Sequence, residues 1–128
     1  MALTITVNGI EQDLEFFSRE YGKFIVEVGS TLLQVIQVGT PVDTGHARNN
    51  WIPEIGSITG RVIGSRESPG SPQGDGAIQR WQPGAGDITI HNSVEYIVYL
   101  DQGSSAQAPQ GIVDPAVAAV EGRFRGGP

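Results

Sequence analysis

The chain has 128 residues, a mass of 13.6 kDa and a hydrophobic share of 38%, which sets the expectation at one domain over 1–128 with a modest core. Eight basic residues against fourteen acidic ones leave a formal charge of −6, with Lys23 the only lysine, so a clustered basic groove for nucleic acid is not expected. There is no cysteine, which excludes a disulfide framework, a thiolate nucleophile and a cysteine zinc site.

Residues 3–7 alternate, with Leu3, Ile5 and Val7 on one side and Thr4 and Thr6 on the other, the period of a half-buried strand. Asn8 and Glu11 then have the spacing of a capping box, and acidic residues fill the turns that follow, where they suit the helix dipole. Leu14, Phe17, Tyr21, Phe24, Val28, Leu32 and Val35 recur at helical spacing, widened by Ile25 and Ile36. This predicts one long amphipathic helix ending near Gly39, with Pro41 as a stop. At about 1.5 Å per residue it would run roughly 45 Å, more than a domain this small can cover, so an end or face is expected to meet another chain. Gly22 and Gly29 lie on nearly one side of it. They mark either tolerated exposed positions or the close approach of another backbone, from the C-terminal segment or a neighbouring subunit.

Residues 51–64 read as two short strands, WIPEIG and GRVIGS, with Pro53 at an edge position. Residues 65–86, rich in glycine and proline, predict a flexible excursion that orders only against a neighbour. Ile88 and Ile90 alternate with Thr89 and His91 in another strand, and residues 94–102 fit a short helix nearly as well as a strand. Asp114-Pro115 is a good cap and first-turn pair for a last helix carrying Val117, Val120 and Phe124. The expected fold is α+β: a small antiparallel sheet of about four strands, the long N-terminal helix and one or two short C-terminal helices. The opening MALTITVNG lacks the features of a signal peptide, and no run of apolar residues is long enough to span a membrane. A soluble, acidic, intracellular protein is the expectation.

Hydrophobic-Asp-Thr-Gly, here Val42-Asp43-Thr44-Gly45, is the active-site loop of aspartic proteases, whose mechanism shares a proton between two aspartates and could draw both from a homodimer. Against that reading, His46 follows where Ser or Ala is usual, the loop leaves a helix instead of a strand, and the chain is poor in strands. His46 and His91 are the only imidazoles. They lack metal-ligand spacing and have no nucleophile elbow to serve, so both are expected at the surface. No phosphate loop, metal or cofactor site follows from the residues, and no enzyme is expected.

Two longer segments remain. Thr40-Pro41-Val42-Asp43-Thr44-Gly45-His46-Ala47-Arg48-Asn49-Asn50-Trp51 follows the long helix, and Asn92-Ser93-Val94-Glu95-Tyr96-Ile97-Val98-Tyr99-Leu100-Asp101-Gln102-Gly103-Ser104-Ser105 leads into Gln107-Ala108-Pro109-Gln110-Gly111. Pro41 can end the helix while Asp43 accepts backbone N–H bonds to close a turn, and Gly45 supplies a conformation that side chains avoid. Arg48 can hold a carboxylate, with Asp43 and Asp101 both candidates. Trp51, Tyr96 and Tyr99 are large amphipathic anchors for a core edge or a subunit contact.

In order, spacing and surrounding elements, these segments resemble the neck and tail-completion (minor tail component) family of tailed bacteriophages, over nearly the whole chain. One departure is Ala106, where relatives commonly carry a basic residue, so no salt bridge is expected there. The resemblance implies a virion structural protein in a homo-oligomeric ring of six at the head–tail junction. Its neighbours would be a connector or head-closure protein above and a tail terminator or tail tube protein below. DNA would pass through the lumen without specific binding, and no membrane is involved. It further implies that Pro41, Asp43, Thr44, Gly45, Arg48, Trp51, Tyr96, Tyr99, Asp101, Gly103, Gln107 and Pro109 are scaffold and interface residues. The alternatives are a tail terminator capping the tube, the dimeric aspartic protease, and a small cellular interaction module.

Overall fold

The computed structural model describes residues 3–7 and 19–125. The expected capping box at Asn8 and Glu11, and the stripe positions Leu14 and Phe17, lie outside the described residues. Within them the fold is α+β. In chain order the elements are β1 (Leu3–Val7), α1 (Arg19–Gly39), α2 (His46–Asn49), β2 (Ile52–Ile55), α3 (Gly76–Gln79), β3 (Ile88–Asn92), α4 (Ile97–Asp101) and α5 (Val113–Arg123). No helix among the described residues is long and apolar enough to cross a membrane.

Among the described residues the sheet has three strands, where about four were expected, in the order β1-β3-β2, and both pairings are antiparallel. All five residues of the central strand β3 are buried. Pro53 sits on the outer strand β2, opposite Ile90, where its missing N–H breaks no inner ladder. The second expected strand, GRVIGS, does not form. Ile63 instead donates its N–H to the Asn50 side-chain oxygen at 2.6 Å and accepts the Asn50 NH2 at its carbonyl at 2.9 Å, so its backbone is satisfied without a strand partner.

Helix α1 packs its buried stripe of Ile25, Gly29, Leu32, Leu33 and Ile36 against the sheet face that carries Ile88 and Ile90. The stripe is therefore centred one residue later than the periodicity suggested. Phe24, Val28 and Val35 are half-buried on its flank, and Phe24 meets Phe124, the residue just past α5, edge-on, ring centroids 5.6 Å apart. A Cβ at Gly29 would lie 3.1 Å from the Ile78 side chain and 3.3 Å from that of Ile88. The close approach is thus real at Gly29, but it comes from side chains of α3 and β3. At Gly22 the nearest atom would be 4.0 Å away, and nothing demands glycine.

The glycine-rich excursion is tied to the rest of the protomer along its length, with Asn49 donating to the Pro69 carbonyl at 3.0 Å. Ser30 donates to Asp75 at 2.8 Å, Gln37 to the Gln73 carbonyl at 2.8 Å, and Ile78 and Trp81 are buried in the core. Hydrogen bonds from Gln79 and Ser30 hold the Asp75 carboxyl below its ordinary value, against a smaller opposing push from burial. A lone Ile and Trp among loop residues carry no periodic signal, which is why this anchor was illegible in the sequence. Residues 97–101 are helical, so the helix reading of that segment is the right one.

The last helix starts two residues earlier than Asp114-Pro115 predicts. Ile112 is its N-cap and offers no side-chain bond. The Asp101 carboxylate takes that role from eleven residues upstream, accepting the N–H groups of Ile112 and Val113 through one oxygen at 2.9 and 2.8 Å. Two of the orphan donors of the first turn are satisfied by a charge that also complements the helix dipole.

Trp51 is fully buried, and its indole N–H donates to the Thr40 hydroxyl at 2.8 Å. Replacing it by alanine is expected to lower stability by about 3–5 kcal/mol. Trp51→Phe, which keeps most of the ring volume and loses the indole bond, should cost clearly less. Chemical denaturation of the two variants checks the order.

Candidate functional site

The two segments that carry the family resemblance converge on one cleft of about 490 Å3. One wall is the loop from the end of α1 to the start of α2, with Pro41, Asp43, Thr44 and Gly45. The other is α4 and the loop after it, with Tyr96, Tyr99 and Gln107. Side-chain hydrogen bonds join the walls. The Gln107 amide reads the backbone of Val42 in both directions: its carbonyl accepts Val42 N–H at 3.0 Å, and its NH2 donates to Val42 C=O at 3.2 Å. Deeper in, Asn92 at the end of β3 donates to the Ala47 carbonyl of α2 at 2.8 Å and accepts Val94 N–H at 3.1 Å.

Several expected roles move. The turn is closed by the Thr44 hydroxyl, which accepts His46 N–H at 3.2 Å, and not by Asp43. Gly45 does adopt the left-handed conformation, with φ 95°. Asp43 is exposed and pairs with Arg66 at 2.7 Å, a surface contact that adds little stability. The Arg66 guanidinium also lies 5.5 Å from the Tyr96 ring centroid, within cation–π reach. Burial pushes the Tyr96 phenol above its ordinary value; Arg66 works against the rise, and Asp43 and Glu95 add to it.

Arg48 holds neither candidate carboxylate. Asp43 is engaged by Arg66 and Asp101 caps α5, while the bond found for Arg48 runs to its neighbour Asn49, at 3.5 Å. Trp51 lies in the core beneath the cleft. Gly103 and Gly111 both have positive φ, and a Cβ on Gly103 would lie 2.5 Å from the Pro109 carbonyl oxygen. On Gly111 it would collide with the carbonyl oxygen of Asp101. These glycines let the loop fold back tightly enough for Asp101 to reach Ile112.

Both histidines are buried, against the surface expectation. His46 packs in the cleft floor, where Asn50 donates to its carbonyl at 2.8 Å and Tyr96 lies 6.5 Å away ring to ring. His91 is fully buried on the sheet face opposite α1. Its Nε2 bonds the Glu54 carboxylate, and its Nδ1 has no partner. Glu54 also accepts the Thr59 N–H and hydroxyl, both at 3.0 Å, and pairs with Arg61 at 3.2 Å. The loop after β2 is thereby fastened over His91. Apolar runs and motif spacing gave no sign of this pair, because a histidine's burial is decided by the loop that roofs it.

An aspartic-protease dyad needs two carboxylates sharing a proton; Asp43 instead faces solvent and a guanidinium. No group of three His, Asp or Glu residues with metal-holding geometry gathers among the described residues. Comparison with protein-family models, curated proteins and solved structures finds no match.

Burial alone would raise the Glu54 carboxyl, but bonds from the Thr59 amide, His91 and the Thr59 hydroxyl outweigh it and hold it below its ordinary value. A depressed carboxyl stabilises the fold at pH above its unfolded value of about 4.3. That stability is lost as pH falls through the lower, folded value. Glu54→Gln should therefore flatten the acid limb of a stability-against-pH curve and leave a deficit at neutral pH. An unchanged acid limb would remove Glu54 from this role.

Proposed function

We propose that the protein is a structural subunit of a tailed-bacteriophage virion, a neck or tail-completion protein forming a ring at the head–tail junction. The observation that carries the reading is the use made of the motif residues. Gln107, Asp101, Gly103, Gly45 and Trp51 tie two distant loops and two helix ends into fixed walls of one cleft. Groups held this way position a surface; none is left poised to attack or to move a proton. The cleft between the loops opens to solvent with Val42 and Tyr99 exposed, as a surface meant for another protein chain would be.

In this reading six copies form a closed ring, with a connector or head-closure protein on one side and a tail terminator or tube protein on the other. The mass of the assembled species, with symmetry from particle images, tests it. A ring is expected. A monodisperse monomer that binds no tail component would overturn it, as would peptide hydrolysis abolished by Asp43→Asn.

A ring around moving DNA should not grip it. Each copy carries a formal charge of −6, and like charge repels the duplex within about a Debye length, near 10 Å at 0.1 M salt. The expected lumen is acidic or neutral, and duplex DNA should not bind the assembled ring tightly even at low salt. Micromolar affinity with a steep salt slope would contradict this, since such behaviour needs several basic contacts to phosphates.

A further inference from the structure

The bonds that fasten the loop after β2 end on a single carboxylate. Glu54 Oε1 accepts the Thr59 N–H and the Thr59 hydroxyl and bonds His91 Nε2, while Oε2 pairs with Arg61. The fully buried His91 has no second anchor, because its Nδ1 is without a partner. The loop and the ring beneath it are therefore held through the same side chain.

Little else holds that loop. Residues 56–62 are all exposed, so none is an apolar anchor sunk in the core. Its far end is fixed where Asn50 bonds both backbone groups of Ile63, contacts that contain no titratable group. Its near end turns at Gly56, which has positive φ and donates its N–H to the Asp87 carbonyl at 3.0 Å. In between, a Cβ on Gly60 would lie 3.9 Å from the Ser93 hydroxyl oxygen, which places the loop at the end of β3. The register sets Thr4 and Ile52 beside His91, and Thr6 beside Thr89, on one face of the sheet. Thr4 and Thr6 are exposed there, whereas Thr89, His91 and Ile52 are buried. The cover of this face is thus on the β2 side, where the loop is tied down. Among the described residues the charged or titratable groups facing Glu54 are Arg61 from the loop and His91 from β3; β1 brings only threonines to this face.

We propose that Glu54 is an acid-operated latch: its protonation frees the loop over residues 56–62, with Gly56 and Ile63 as hinges, and opens His91 and Ile52 to solvent while the core facing α1 stays folded. A carboxyl that takes a proton turns one oxygen into a donor and no longer serves Thr59, His91 and Arg61 together as an acceptor. The bonds that close the loop also hold the carboxyl below its ordinary value. Closure is therefore complete above the open-state value of about 4.3 and is lost as pH falls through the lower, closed-state value. The latch belongs to the protomer and operates whether or not a ring forms.

Amide exchange of the wild type, followed from about pH 7 to about pH 3.5 and corrected for intrinsic rates, tests it. Protection of the Thr59 N–H should fall about tenfold or more as Glu54 titrates, the scale of losing one charge-assisted bond. Protection of the Trp81 N–H, which bonds the Ile78 carbonyl at 3.0 Å, should persist. A Thr59 amide that is unprotected at neutral pH, that keeps its protection in acid, or that loses it only together with Trp81 would overturn the latch. Glu54→Gln imitates the protonated side chain at neutral pH. Diethyl pyrocarbonate, which acylates accessible imidazole, should modify His91 of that variant about tenfold faster than His91 of the wild type, with His46 as an unchanged internal reference. Equal His91 rates in the two proteins, or faster reaction of both histidines together, would overturn it as well.

Discussion

The Thr40 hydroxyl accepts the indole N–H of Trp51 and donates to the Ile36 carbonyl at 2.6 Å, and the rest of the structure is arranged around that buried relay. A helix end leaves carbonyls without partners, and a buried indole needs an acceptor. One oxygen answers both needs at the point where α1 stops. Pro41 then forbids continuation, so the chain leaves the helix in a fixed direction and the following loop starts from a fixed place. Trp51 closes the same segment eleven residues after Thr40. The loop between is clamped at both ends to the core, and the cleft inherits its rigidity from that clamp.

Buried polar side chains do the remaining positioning, and each has its partners. Asn50 bonds the His46 carbonyl and both backbone groups of Ile63; Asn92 bonds Ala47 and Val94. An amide that is fully satisfied indoors specifies one arrangement, because any shift strands a donor or acceptor at about 1–3 kcal/mol. The His91 and Glu54 pair is different in kind. It has a carboxylate near the surface and an unanswered ring nitrogen below it, so the loop it fastens depends on a group that acid can protonate.

What could be read from the sequence was local chemistry. The alternation of Leu3, Ile5 and Val7, the edge position of Pro53, the left-handed turn at Gly45 and the end of α1 at Gly39 each depend on neighbouring residues alone. What could not be read depends on partners far along the chain. Val62-Ile63 has strand-forming residues, yet its hydrogen bonds go to Asn50 and no strand lies beside it. Asp114-Pro115 is a sound cap in isolation, and Asp101 took the place because two positive-φ glycines bend its loop within reach. Arg48 was assigned a carboxylate on charge alone, while both candidate acids had stronger claims elsewhere. The candidate site was legible as two motifs; that they face each other across one cleft was not.

Net charge limits how such a surface can be used. Copies that each carry −6 repel one another wherever their carboxylates come within about 8 Å at physiological salt. Within one protomer the arginines beside the cleft and its neighbouring loop are already committed, Arg61 to Glu54 and Arg66 to Asp43, so they leave little positive charge to offset Glu95. Attraction at the cleft has to come instead from burying Val42 and Tyr99, 40% and 65% exposed, and that attraction is non-directional. Direction comes from repulsion. A symmetric pairing of two clefts would bring Glu95 toward Glu95, and like charges facing each other disfavour it. The surface that suits this cleft is therefore one unlike the cleft itself.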